Sequence, residues 1–209
     1  MSDTRRMLAE MVDPLFAELG PAATIERDGN RLDELGLPAL LVPEADGGFG
    51  GSWMDALGID LPDAIIARVA GRESDQWFGL MAFARAAQIA GALDAALALS
   101  VAYANDRVQF GRPLGKFQAV QQSLASFACE AAAANCAAMG AAQALDRGNA
   151  EFEIAAAKLR ANRAVEVGTT VAHQVHGAIG FTQEYGLHPL TRRLWQWRSE
   201  FGNDAHWSG

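Results

Sequence analysis

The sequence predicts an all-α protein: an antiparallel four-helix bundle with short helices near the N-terminus. Half of the residues are hydrophobic, a fifth are charged and alanine is abundant, which favours a helical globular protein. Apolar side chains recur every three or four positions along three successive segments after residue 80. Small side chains on these segments let the helix axes approach closely, so antiparallel packing is expected.

The N-terminal part predicts short elements. Residues 4–19 carry apolar side chains at helical spacing and stop at Gly20-Pro21, and a second short helix is predicted at 28–35. The glycine-rich run 44–51 is acidic and lacks the Lys-Ser/Thr of a phosphate loop. A tight, packed connection is therefore the favoured interpretation of this run.

Four longer helices are predicted in the rest of the chain. Their predicted bounds are 81–106, 117–146, 151–176 and 189–200. Glycines follow or punctuate the ends of these segments, as expected where helices stop. The chain is accordingly divided into an N-terminal helical segment (1–57), a linker (58–80) and a C-terminal bundle (81–209).

Charge and composition exclude several function classes. A formal net charge of -8 and a pI near 5.0 give no attraction for nucleic acid. No signal-like segment and no window of about 18 uncharged apolar residues occur, which predicts a cytoplasmic protein without a membrane span. The two cysteines, Cys129 and Cys136, are too far apart for a comfortable disulfide and have no metal-ligand neighbour. We interpret them as buried small side chains, and we predict no metal site.

The stretch 105–122 is the most informative part of the sequence. It ends one long helix, turns through three Gly or Pro residues and begins the next helix, so Arg107, Phe110 and Arg112 crowd at one bend. On pattern alone, Arg107 also fits a charge at a helix C-terminus and Phe110 fits a core anchor. Gln174, farther along, likewise fits a polar residue at a helix end.

Two segments together resemble the C-terminal helical domain of the acyl-CoA dehydrogenase family. Residues 103–118 carry a basic-x-x-Phe-Gly turn followed by Phe-Gln, and residues 173–185 carry a Gln-x-x-Gly-x-x-Gly-Phe pattern about sixty residues later. Residues 35–52 also look like the start of the family's N-terminal helical domain. Only about thirty residues join the two similar parts, where the family has further helices and a β-domain. The resemblance therefore implies an abbreviated member.

The resemblance implies an FAD shared between subunits. The implied cofactor-binding residues are Arg107, Phe110, Gln118, Gln174, Gly177 and Ala178. Arg107 would bind the pyrophosphate, Phe110 would pack on the adenosine side, and Gln118 would hydrogen-bond nearby. Gln174 and the backbone at Gly177 and Ala178 would receive the adenine dinucleotide of a neighbouring chain. Ala178 stands where the family more usually has a second glycine.

The resemblance also implies α,β-dehydrogenation of an acyl-CoA, in which a carboxylate removes the α-proton. The family's usual base is a Glu directly before a Gly, but this chain has Phe201-Gly202, with Glu200 one residue earlier. The family's other base position falls near Met81, which offers no carboxylate. Glu200 is therefore the candidate base, and a solvated Glu paired with Arg193 or Arg198 is the alternative. Three histidines are weaker candidates: His173, His176 and His188.

We therefore expect an FAD-dependent acyl-CoA dehydrogenase-like subunit that acts on an acyl-CoA. It would assemble with itself or with a full-length acyl-CoA dehydrogenase, and an electron-acceptor flavoprotein would be a further partner. The first alternative is a non-catalytic subunit that completes the FAD site and the interface of a full-length dehydrogenase. The second alternative is a helical interaction protein without flavin.

Overall fold

The computed structural model describes residues 77–209 and, before them, the isolated positions 6–7, 10–12, 14, 34–35, 39, 45 and 52. The predicted helices at 4–19 and 28–35 and the glycine-rich connection at 44–51 lie almost entirely outside the described residues. The proposed division at residues 57 and 80 accordingly stays a prediction.

Five helices make up most of the described part of the chain. They are α1 (Trp77–Asp106), α2 (Gln118–Asp146), α3 (Glu151–His176), α4 (Leu187–Ser199) and the short α5 (Asp204–Trp207). The first four form an antiparallel bundle, in which α1, α2 and α3 pack on one another and α4 packs on α1 and α3. The predicted all-α class and four-helix bundle are confirmed. The bounds of α3 agree with the prediction, whereas α5 was not predicted.

The connections between the helices are short and tightly hydrogen-bonded. After α1, strands β1 (Val108–Gln109) and β2 (Arg112–Pro113) pair antiparallel, and a 3₁₀ turn spans Leu114–Lys116. The sequence predicted a turn here but no strands. Phe110 and Gly111 have φ values of 54° and 79°, the left-handed conformation that two-residue hairpin loops need.

Small side chains bring the helices of the bundle close together. Gly168 of α3 lies where α1 and α2 approach it. A Cβ atom at this position would come within 2.5 Å of Leu93 Cδ2 and 2.7 Å of Phe127 Cε2. Both of those side chains are fully buried. The predicted close approach of helix axes is therefore present at this crossing.

The two cysteines differ from the prediction, because both side chains are exposed. The buried face of α2 is formed by Phe127, Ala131, Ala134 and other alanines. Cys129 and Cys136 fall between these positions and face outward. The interpretation as buried small side chains was wrong because the small residues around them occupy both faces of α2.

Helix α1 is apolar along most of its length. Phe78–Asp106 is long and apolar enough to cross a membrane by length and composition alone, although the sequence predicted no span. The core helix of a globular bundle meets the same criteria. Ile89, Leu93 and Ala96 of α1 are fully buried within the hydrophobic core that the neighbouring helices share.

Candidate functional site

The turns that follow α1 and α3 lie at the same end of the bundle. The ring of Tyr103, near the end of α1, stacks on His176 at the end of α3 with 4.6 Å between ring centroids. Tyr185 packs edge-on against Tyr103 at 6.2 Å. These ring contacts bring the two motifs of the sequence, residues 103–118 and 173–185, together at one end of the bundle. We name this region the Arg107 end.

Arg107 is fixed through its backbone while its side chain is exposed. Its N–H donates to the Tyr103 carbonyl at 2.8 Å, and its carbonyl accepts from the Leu114 N–H at 2.9 Å. The residue thus directly follows the last turn of α1, where a cation also interacts favourably with the helix dipole. A fixed backbone and an exposed guanidinium suit recognition of an anion.

Phe110 is not a core anchor, because 88% of its surface is exposed. Its ring meets the edge of Phe117 at 6.1 Å, and the Arg112 guanidinium lies over the Phe117 ring at 4.1 Å. Gln118 is exposed as the first residue of α2. The turn therefore presents an aromatic surface with cationic and amide groups beside it.

The end of α3 offers approachable backbone. Gly177 has φ 62°, and a Cβ built on it would meet nothing within 4 Å. Gln174, Gly177 and Ala178 are all exposed, as the resemblance requires of residues that would contact a cofactor. Ile179 and Phe181 continue this exposed surface, with 41% and 64% exposure, and neither was predicted as a site residue.

His173 lies beneath this surface with its ring against Phe181, at 4.2 Å between centroids. The Thr191 hydroxyl donates to the His188 carbonyl at 3.2 Å, so it accepts from Nε2–H of His173 at 3.1 Å. The remaining Nδ1 atom is buried and has no hydrogen-bond partner among the described residues. Burial, with smaller contributions from His176 and His188, lowers the pKa of His173.

His176 is held by hydrogen bonds at both ring nitrogens. Its Nδ1 lies 2.8 Å from the Ala172 carbonyl and therefore donates, which leaves Nε2 to accept from the Tyr185 hydroxyl at 3.2 Å. The ring is also buried and stacked on Tyr103. This geometry is that of a structural link between α1, α3 and the following turn.

A second group of polar side chains lies at the opposite end of the bundle, where α4 stops. We name it the Glu200 end. The Glu200 carboxylate accepts from Arg85 Nε at 2.5 Å and from Gln196 Nε2 at 2.9 Å. The Arg85 side chain is only 7% exposed and that of Glu200 is 28% exposed. The arginine that pairs with Glu200 is thus Arg85, which was not predicted, and not Arg193 or Arg198 as the alternative interpretation expected.

The Arg85–Glu200 pair limits what the carboxylate does chemically. Each of its oxygens accepts a hydrogen bond, one of them from a permanently charged guanidinium. A general base needs a lone pair directed at the C–H that it deprotonates. Glu200 as the base stays a prediction, and proton abstraction would have to use a carboxylate lone pair that these two hydrogen bonds do not occupy.

The turn after α4 has an unusual backbone at the position where the family resemblance places the base. Phe201 and Gly202 have φ values of 50° and 99°. The Phe201 ring packs edge-on against Phe78 at 6.0 Å, and the Arg85 guanidinium lies 5.6 Å from the ring centroid. The side chain directly before Gly202 is therefore an aromatic ring packed against α1.

Lys158 of α3 contacts the C-terminal end of α4 and the turn that follows it, and this role was not predicted from the sequence. Its side chain is fully buried, and its ammonium donates to Asn162 Oδ1 and to the carbonyls of Trp197, Arg198 and Gly202 at 2.7 to 3.3 Å. Burial is the largest cause that lowers the pKa of Lys158, to about 8. A signal was available, because Lys158 falls on the apolar stripe of α3, where a solvated lysine is not expected.

Lys158 should make stability depend on alkaline pH. Its pKa of about 8 in the folded protein lies below the ordinary value of 10.5, so between these pH values the unfolded chain binds more protons. The free energy of unfolding should therefore rise with pH across this window, by at most about 3 kcal/mol from this residue. Chemical denaturation at several pH values would measure it.

The matched control for this pH dependence is the exposed Lys116. Lys158→Met should remove the alkaline rise, and Lys116→Met should leave it unchanged. If the wild type and Lys158→Met showed the same slope between pH 8 and 10, the assigned pKa would be wrong.

The bundle and its Arg107 end define a class of protein. A guanidinium, exposed aromatic rings, amide side chains and an approachable glycine suit a ligand that has both anionic groups and flat rings, such as a dinucleotide. Residues 74–203 match the family model described as acyl-CoA dehydrogenase, C-terminal domain. The chain belongs to the acyl-CoA dehydrogenase family, as the resemblance implied.

Individual relatives agree with this assignment. The chain is 38% identical over 108 residues to acyl-CoA dehydrogenase IpdE2 of Mycobacterium tuberculosis, covering 52% of this chain and 33% of the relative. It is 40% identical over 109 residues to the probable acyl-CoA dehydrogenase YngJ of Bacillus subtilis, covering 51% and 28%. The chain thus spans about a third of the length of these relatives.

Solved structures share the bundle. A glutaryl-coenzyme A dehydrogenase in complex with glutaryl-CoA superposes with a TM-score of 0.60 at 32% identity, covering 63% of this chain and 34% of that one. Butyryl-CoA dehydrogenase from Megasphaera elsdenii superposes with a TM-score of 0.61 at 30% identity, covering 64% and 35%. The similarity therefore extends to the helical bundle and not to the whole of either enzyme.

Proposed function

We propose that the chain is an FAD-associated subunit of an acyl-CoA dehydrogenase-type flavoprotein, whose assembly carries out α,β-dehydrogenation of an acyl-CoA thioester. The observation that carries the proposal is the meeting of the two family motifs at the Arg107 end. Arg107 and Phe110 lie in one turn, while Gln174 lies in the last turn of α3 and Gly177 directly follows that helix, and all four are exposed. The FAD would supply the hydride acceptor.

Each of the six predicted cofactor-binding residues has a proposed part in binding. The Arg107 guanidinium binds the diphosphate through its planar pair of donors, and Phe110 covers the adenosine. Gln118 donates or accepts a hydrogen bond at the same part of the cofactor. Gln174 and the backbone at Gly177 and Ala178 receive the dinucleotide of a neighbouring chain. The open space above Gly177 is the observation that fits such a close approach.

The proposal includes an oligomer, because half of an FAD site needs a second chain to complete it. The proposed location of this oligomer is the cytoplasm. The second chain is either another copy or a full-length acyl-CoA dehydrogenase. One of the similar solved structures is a complex of ChsE4 with ChsE5 from Mycobacterium tuberculosis, with a TM-score of 0.61 at 26% identity. Another has a title that names an electron transferring flavoprotein of Acidaminococcus fermentans, and an acceptor of that kind is the proposed electron partner.

A second candidate function is favoured by the Glu200 end. Glu200 is bound to Arg85, and an aromatic residue precedes Gly202. Both features support a non-catalytic subunit that completes the FAD site and the interface of a full-length dehydrogenase. In that case the assembly catalyses the reaction and the base comes from the other chain.

Replacing Arg107 by alanine tests the cofactor proposal. The purified wild-type protein, alone or with a full-length acyl-CoA dehydrogenase, should show a flavin absorption band. Arg107→Ala should weaken FAD retention by roughly 10- to 100-fold, because hydrogen bonds to a charged group contribute about 1.5 to 3 kcal/mol. Equilibrium titration with FAD, followed by flavin fluorescence, would measure the loss.

Arg147 provides the matched control, since it is an exposed arginine that directly follows α2 at the other end of the bundle. Arg147→Ala removes a similar helix-end charge and should leave FAD retention unchanged. If both variants lost FAD retention equally, Arg107 would act only as a charge at a helix end and not as a residue that binds the cofactor. A colourless protein that takes up no added FAD, alone or with the partner, would exclude both candidate functions.

Glu200→Gln separates the two candidate functions. We expect turnover of the assembly with acyl-CoA to change by no more than about twofold, because the carboxylate is already committed to Arg85. The midpoint of thermal unfolding should fall, since the buried guanidinium loses a charged partner. A turnover loss on the order of 10²-fold or more would instead assign the base to Glu200. Glu184→Gln, at an exposed carboxylate, is the control.

A further inference from the structure

The ammonium of Lys158 lies within a cage of four oxygen atoms. Asn162 Oδ1 is at 2.7 Å, and the carbonyls of Gly202, Arg198 and Trp197 follow at 3.0, 3.1 and 3.3 Å. Three of the four oxygens belong to the last turn of α4 and the loop that follows it. A cation at this position donates hydrogen bonds to carbonyls at and just beyond the C-terminal end of α4, and it complements the negative end of the helix dipole.

Asn162 strengthens this arrangement from the next turn of α3. Its Oδ1 accepts from Lys158, and its Nδ2 donates to the Gly202 carbonyl at 3.4 Å. Both side chains are fully buried. The Gly202 carbonyl thus has two donors from α3, which lie 44 and 40 residues before it in the sequence.

Other contacts fix the turn from two more directions. Trp207 Nε1 donates to the Phe201 carbonyl at 3.0 Å, and Arg85 binds the Glu200 carboxylate. Neither contact reaches the carbonyls of Arg198 or Gly202. Among the described residues, the donors to these two carbonyls are Lys158 and Asn162, both on α3. The direction in which the chain leaves α4 is therefore expected to depend on Lys158.

We propose that Lys158 is the positioning residue of the 200–202 turn, with Asn162 as its support. By holding the carbonyls on either side of Glu200 and Phe201, it sets both side chains toward α1 and Arg85. The importance of this turn for acyl-CoA chemistry rests on the proposed function. The positioning of the turn by Lys158 does not rest on the proposed function, and the experiments that test it need no flavin.

Amide hydrogen exchange of the whole chain, measured by mass spectrometry, tests directly whether Lys158 positions the 200–202 turn. Lys158→Met removes one donor from each of three carbonyls, so exchange in residues 197–207 should become at least about tenfold faster. Exchange within α1 and α2 should stay within about twofold of the wild type. A merely structural lysine would instead raise exchange throughout the bundle.

Chemical rescue shows whether the ammonium is the required group. In a background with both native cysteines changed to serine, Lys158→Cys is alkylated unfolded with 2-bromoethylamine, which restores an ammonium at nearly the original length. Refolded protein should regain slow exchange at 197–207, whereas the same variant alkylated with iodoacetamide should not. Lys116→Met, at the chain's other lysine, is the matched control and should leave exchange at 197–207 unchanged.

The outcomes that overturn the proposal are specific. Unchanged exchange at 197–207 in Lys158→Met, an equal rise in all helices, or a failure of aminoethylation to restore protection would each do so. If Lys158→Met does not fold, Asn162→Ala keeps the ammonium and removes one member of the cage. It should give a smaller rise confined to 197–207, and the absence of that rise would also overturn the proposal. None of these results depends on FAD uptake, which tests the proposed function separately.

Discussion

Gly202→Ala is expected to cost roughly 2 to 5 kcal/mol of the free energy of unfolding. Gly202 has φ 99°, and a Cβ there would lie 2.2 Å from Trp207 Nε1 and 2.8 Å from His206 Cδ2. The methyl group would break the hydrogen bond from Trp207 to the Phe201 carbonyl and strain the backbone at the same time. Thermal and chemical denaturation would measure the loss, and tryptophan fluorescence would report the change around Trp207.

Gly148→Ala separates the two causes of that loss. Gly148 has φ 86° but nothing lies within 4 Å of the Cβ that would be added. This variant keeps the backbone strain without the clash, so it should cost only about 1 kcal/mol. If the two variants lost equal stability, the close approach of Trp207 to Gly202 would be wrong.

Gly168→Ala is the second substitution with a large expected effect. A Cβ on Gly168 would come within 2.5 Å of Leu93 and 2.7 Å of Phe127, and both of these side chains are fully buried. Alanine favours a helix over glycine by about 1 kcal/mol, but overpacking should outweigh this gain and leave a net loss of about 2 to 4 kcal/mol. Chemical denaturation is the appropriate measurement.

Gly140→Ala is the matched control, since Gly140 also lies within a helix but has nothing within 4 Å of the added Cβ. Helix propensity alone should then stabilise the protein by about 0.5 to 1 kcal/mol. The two variants should therefore shift stability in opposite directions. Stabilisation by both would contradict the helix crossing at Gly168.

Much of the fold could be predicted because the three long helices obey one periodicity. In α3 the apolar residues recur without interruption from Ile154 to Ala172, and the glycine after His176 marks the end. The two-stranded ladder after α1 was missed because it depends on positive φ at Phe110, a residue that does not usually adopt it. Each strand has only two residues, which is too short for an alternation of apolar and polar side chains to be recognised in the sequence.

The two ends of the bundle were unequally predictable. At the Arg107 end, the six candidate cofactor-binding residues were named from the family motifs, whereas the exposed Ile179 and Phe181 beside them were missed. At the Glu200 end, the partner of the carboxylate was misassigned, because Arg85 lies 115 positions away along the chain. Ion pairs between distant helices follow from packing geometry, which periodicity does not encode.

The oxygen cage around Lys158 and the turn that follows His176 at the Arg107 end are far apart along α3. Lys158 and His176 are 18 residues apart on α3, which corresponds to about 27 Å. At that distance, substitutions at the two ends should contribute additively to stability. Evolution is then able to change the residues around Glu200 while it preserves those around Arg107, because a substitution at one end has little effect on stability at the other.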